Sequence, residues 1–193
     1  MSKFEVPEFD KMAKNVIKET ARMAATESII FFKDSFVKEG FTDTSFQAWK
    51  KTSNPMAGKK TLYRSGTLMQ SIRKVEETIK RIVVESDTNY SEIHNSGGTI
   101  AVTVQMKKFW WAKYYEFSGK VKSTTKGKIS KSQSNLKTND KAEFCKRMAL
   151  MKVGTKIKIP KTQFMGDSKT MMIKFENFYN EIIVKELERK QNM

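Results

Sequence analysis

A single cysteine, a single histidine and three prolines are spread over 193 residues, and each scarcity closes a class of function. Cys145 alone cannot form an internal disulfide or a cysteine-based zinc cluster. It fits a chain folded in a reducing cytoplasm, and its place in a helical pattern reads as a small buried apolar residue rather than a nucleophile. His94 has no second histidine and no acidic cluster beside it, and a lone imidazole cannot hold a catalytic metal. Ser65 in RSG and Ser96 in NSGG are turn residues outside any G-x-S-x-G elbow. Dinucleotide and P-loop glycine patterns are missing, as are internal repeats. No apolar run approaches the ~20 residues needed to cross a bilayer, and the opening MSKFEVPEFDK lacks a hydrophobic signal core. The expectation is a chain without catalytic residues, metal, cofactor or membrane span.

Acidic residues are also scarce, with Asp and Glu numbering 21 against 37 Lys and Arg, a net charge of +16. Such a field attracts polyanions. Six lysines (Lys120, Lys122, Lys126, Lys128, Lys131 and Lys137) fall between residues 119 and 139 with no acidic residue among them. That stretch, rich in Ser, Thr and Lys, reads as a mobile loop. Its lysines are candidates for nonspecific DNA-phosphate contact, and a merely solvated loop is an equally good reading.

What is abundant is apolar periodicity. Phe9, Met12, Val16, Ile17, Ala21, Ala24, Ile29, Phe32 and Phe36 recur at helical spacing, and Pro7 with Asp10 suits a helix start, Gly40 its stop. Met171, Met172, Phe175, Phe178, Ile182, Ile183 and Leu187 form a second such pattern after Asp167. Between them lie a polar loop over 41–61 pinned by Trp49, and a short helix near 66–72. Strands follow around 72–77 and 80–86, then a helical turn at 90–95. Further on come a strand at 99–106, a short helix at 140–151, and a strand KIKIP that Pro160 must end. The result is an α+β domain over 1–193, with a small antiparallel sheet flanked by long N- and C-terminal amphipathic helices.

The aromatic run FWWAKYYEF carries Phe109, Trp110, Trp111, Tyr114, Tyr115 and Phe117. Phe109, Tyr114 and Phe117 recur at helical spacing and would face the core. Trp110 and Trp111 would then be free to fill a neighbouring subunit's groove, as large aromatics do at interfaces. Stacking on single-stranded bases or seating at a membrane surface are the minority readings.

Three motifs stand in a suggestive order: YRSGTLMQSI from Tyr63, YSEIHNSGG from Tyr90, and IPKTQFMG from Ile159. Their succession resembles the phage virion morphogenesis family, the tail-completion or neck proteins of tailed phages. There, R-x-G-x-L-x-x-S-I, Y-x-x-I-H-x-x-G-G and I-P-x-R-x-F-x-G follow one another before a C-terminal helix, and a tryptophan precedes the first glycine turn, as Trp49 does here. The resemblance spans roughly residues 30 to 190, with an extended region between about 99 and 155. Thr162 stands where the family often has arginine, and Gln163 where proline is frequent. The resemblance implies a non-enzymatic structural part of the virion neck or tail end, made in the host bacterial cytoplasm. It implies a homo-oligomeric ring that contacts other neck, connector or tail proteins, and His94 serving the fold. Phe109, Trp110, Trp111, Tyr114 and Tyr115 are then the candidate subunit or partner interface. The rival expectation, from charge and aromatics alone, is a free basic nucleic-acid-binding protein.

Overall fold

The computed structural model describes residues 9–58 and 60–191, with side chains up to residue 189. Pro7 lies outside them. Two long helices bracket the chain, α1 over Phe9–Lys38 and α6 over Lys169–Gln191. Between them run β1 (Gly40–Thr42), β2 (Phe46–Ala48), α2 (Thr67–Gln70), β3 (Ile72–Glu77), β4 (Ile82–Ser86) and α3 (Ser91–Ser96). Then come β5 (Gly98–Ala101), α4 (Val104–Ser118), α5 (Gln133–Leu150) and β6 (Lys156–Ile159). The class is α+β. The strands do not share one sheet: β1–β2, β3–β4 and β5–β6 form three separate antiparallel ladders of two strands each.

Contacts gather the chain into two compact units. One comprises the described residues of Met1–Trp49, Leu62–Ser91 and Gln163–Met193; the other, those of Lys50–Thr61 and Glu92–Thr162.

The first unit is built on α1, whose apolar positions meet α6, β1, β3 and β4. Phe32, Phe36, Phe41, Trp49, Leu68, Ile72, Phe164 and Met171 form its core. Phe36 sits at the centre, its ring 5.0 Å from Phe164 and 5.5 Å from Trp49, centroid to centroid. Fully burying each such side chain contributes about 2–3 kcal/mol. Trp49 also needs a partner for its indole N–H, which it donates to the Gln163 carbonyl at 2.7 Å. Trp49 does pin the segment after α1, but that segment begins as the β1–β2 hairpin rather than as loop.

Gly40 does not itself turn the chain. Glu39 takes the left-handed conformation (φ 53°) that ends α1. Gly40 is there because a Cβ would strike the Phe46 ring and lie 2.6 Å from the Gln47 carbonyl oxygen. At the other end, Ser168 caps α6 by accepting from the Met171 amide at 3.1 Å, and the Asp43 carboxylate accepts from the Lys169 amide at 2.9 Å. Both oxygens satisfy N–H groups that the first turn leaves open, and the Asp43 charge suits that helix end.

In the second unit, two sequence expectations change. The strand read over 99–106 stops at Ala101, because Thr103 accepts from the Met106 amide at 3.1 Å and starts α4. A Thr three residues ahead of a polar amide is an N-cap, and that local bond outweighs the β-propensity of Val104. The loop read over 119–139 is shorter, since α5 begins at Gln133 and takes in the positions expected from 140 onward. Residues 120–131 are hydrogen-bonded too, through a Ser123–Ile129 antiparallel bridge.

Candidate interaction surface

The helix α4 and the helix α5 pack side by side, and their contact decides which aromatics are free. Trp110, Tyr114 and Phe117 are spaced four and three residues apart, so they share one helix face. Trp110 meets Phe144 of α5 edge-on, centroids 5.6 Å apart. The Lys146 ammonium lies over Tyr114 at 5.8 Å, and that of Lys141 over Phe117 at 5.7 Å. Cys145, fully buried in this contact, is an inert thiol whose pKa burial pushes up.

The expected roles of two residues are therefore exchanged. Phe109, read as facing the core, is 48% exposed, its ring edge-on to Trp110 at 5.0 Å. The reason is angular: five residues from Phe109 to Tyr114 turn the helix about 140° past a full circle, off the packing line. Trp110, read as free, is half-buried against α5 instead.

What α4 leaves outward is a stripe at positions 104, 108, 111 and 115, the spacing of one helix face. Val104 is 57% and Tyr115 66% exposed, and Trp111 is half-buried. Trp111 stacks on Tyr115 at 5.9 Å and meets Tyr114 at 5.6 Å. Of the expected interface residues, Trp111 and Tyr115 lie on this stripe, Phe109 lies on its far flank, and Trp110 and Tyr114 turn to α5. Lys108 stands within the stripe; off it, the Glu116 carboxylate is held below its ordinary pKa by hydrogen bonds from Lys113 (2.7 Å) and Lys120 (3.0 Å). No residue of α4 is buried.

Elsewhere in the same unit, the two downstream motifs meet. Thr162, buried, donates both its backbone N–H (2.8 Å) and its hydroxyl (2.9 Å) to the carbonyl oxygen of His94. Gly98 pairs with Ile159 in the β5–β6 ladder. Gly97 (φ 75°) leaves no room for a side chain, since a Cβ would lie 2.8 Å from the Lys161 amide nitrogen. The glycine pair after EIHN is thus the seat for the IPKT backbone. Sequence reasoning had the two motifs in order but missed this contact; the paired glycines were its available signal. Burial lowers the His94 pKa, so its imidazole is neutral at physiological pH. His94 contributes its main chain to the joint, and Thr162 holds it through two hydrogen bonds.

Among the described residues no group of three His, Cys, Asp or Glu side chains is placed to hold a metal ion, and no helix is long and apolar enough to cross a membrane. No family model, curated protein or solved structure matches the chain.

Proposed function

We propose that this chain is a structural assembly protein of a tailed-phage virion, acting at the head–tail junction as one subunit of an oligomeric ring. The observation that carries the reading is the uncovered α4 stripe of Val104, Trp111 and Tyr115. Aromatic side chains left on one helix face, over a helix already packed on its other face, are what a protein partner covers. In the other unit the terminal helices carry exposed apolar residues of their own: Ile30 and Val37 on α1, and Ile173 and Val184 on α6, are each more than half exposed. The motif order adds the head–tail setting, and the contact between His94 and Thr162 gives those motifs a scaffolding role. Ring subunits contact one another through unlike faces that close on a rotation axis, which suits a chain with apolar surface on several elements.

The test is complementation with Tyr115→Lys and Trp111→Lys chains in a phage whose own copy is deleted. The reading expects both variants to be soluble and folded, yet to leave heads and tails unjoined. Full infectivity from both would remove the α4 stripe from the account.

A further inference from the structure

We infer that residues 120–131 form an ordered lysine finger that grips the phosphate backbone of duplex DNA. The segment folds back on itself between α4 and α5. Ser123 and Ile129 form an antiparallel bridge, the Thr124 amide donates to the Lys128 carbonyl at 2.7 Å, and the Gly127 amide closes the tip on the Thr124 carbonyl at 2.9 Å. The Ser130 amide returns to the Lys122 carbonyl at 2.9 Å.

One buried side chain holds the base of this hairpin. Asn135, in the first turn of α5, accepts from the Lys122 amide at 2.7 Å. Its amide group donates to the carbonyls of Lys122 (3.0 Å) and Ser130 (2.8 Å). A carboxamide that uses its oxygen and both N–H donors on two strands of one turn fixes their separation. The finger then presents Lys120, Lys122, Lys126, Lys128 and Lys131, all exposed, with no acidic residue between Phe117 and Asp140. Of these five, Lys120 has an ion-pair partner, Glu116.

The chemistry of the finger selects among polyanions. Single-stranded nucleic acid is held largely by bases stacked on aromatic rings, and residues 118–143 contain no aromatic. A membrane surface needs apolar side chains to insert, and the finger offers Ile129 alone as an exposed large apolar residue. Lysines are point charges that take phosphates without reading sequence. Duplex DNA, with one charge per about 1.7 Å of axis, is a dense and regular array of that ligand. A finger of fixed spacing therefore binds it nonspecifically and in a salt-dependent way.

Fluorescence anisotropy of the full chain with a random-sequence duplex of about 30 base pairs tests this between about 50 and 200 mM salt. Five phosphate contacts give a slope of log K against log salt near −4.5 at most, and Lys122→Gln/Lys126→Gln/Lys128→Gln should make it shallower by about 2.7. Asn135→Ala keeps every lysine and places a good helix former in α5, so the chain stays folded. It should weaken duplex binding several-fold, because the finger must then be ordered on binding. Parallel titrations use single-stranded DNA of the same length and phosphatidylserine vesicles. Duplex binding that is unchanged in the triple variant or in Asn135→Ala overturns the inference, as does tighter binding to single strands or to vesicles.

Discussion

Replacing Thr162 with valine isolates the bond that joins the two downstream motifs. Valine keeps the shape of threonine but loses the hydroxyl that donates to the His94 carbonyl at 2.9 Å. That carbonyl still accepts from the backbone N–H of residue 162 at 2.8 Å, so it is not stranded without a partner. The loss is then the net worth of one hydrogen bond, about 1 kcal/mol, rather than the desolvation cost of an orphaned oxygen. Thr162→Ala also removes a buried methyl, adding roughly 0.8 kcal/mol. Thr162→Arg is the sharpest case. The position is only 4% exposed, and a guanidinium placed there without a carboxylate costs several kcal/mol or forces the segment open. Urea denaturation followed by circular dichroism gives all three values, and each kcal/mol should move the melting temperature by roughly 2–4 °C at this chain length. The expected order is wild type, Val, Ala, Arg, from most to least stable. A valine variant as stable as wild type would show that the hydroxyl does not hold the joint, and an arginine variant as stable as valine would show the site is open to water.

Three further outcomes follow from the same geometry. Because burial lowers the His94 pKa below its ordinary 6.5, the unfolded chain binds more protons in the window between the two values. Stability should be full above pH 6.5 and fall as pH drops from there through the folded value; His94→Asn should remove that slope in urea titrations while leaving virion assembly intact. Gly97→Ala meets both an unfavourable positive φ and the Lys161 amide, so it should destabilise by more than about 1 kcal/mol and speed amide exchange across β5 and β6. Trp110→Lys should lower the melting temperature by separating α4 from Phe144, whereas Trp111→Lys should melt close to wild type; equal losses would contradict the assignment of faces.

The long helices were legible because their apolar spacing extends over many turns, and the β3–β4 and β6 strands because β-branched residues mark them. The first helix needs no glycine to stop it, and that escaped the sequence: Gly40 is demanded by the Phe46 ring arriving from β2, a contact no local pattern encodes. Phe109 and Trp110 exchanged roles because an unbroken aromatic run contains several helical phases, and only Phe144, across a long connection, selects one. The lysine-rich stretch has the composition of a solvated loop, and its order rests on Asn135, a residue of ordinary polar appearance until its partners are known. The role of Thr162, whose hydroxyl and amide both bond one carbonyl 68 residues away in sequence, could not be read locally.

The central claim, that this chain joins virion parts, is tested most directly by electron micrographs of particles from a phage lacking it. The account predicts filled heads and separate tails, or tails with abnormal ends, restored to whole virions by the wild-type chain. Normal, infectious, fully joined particles would contradict it.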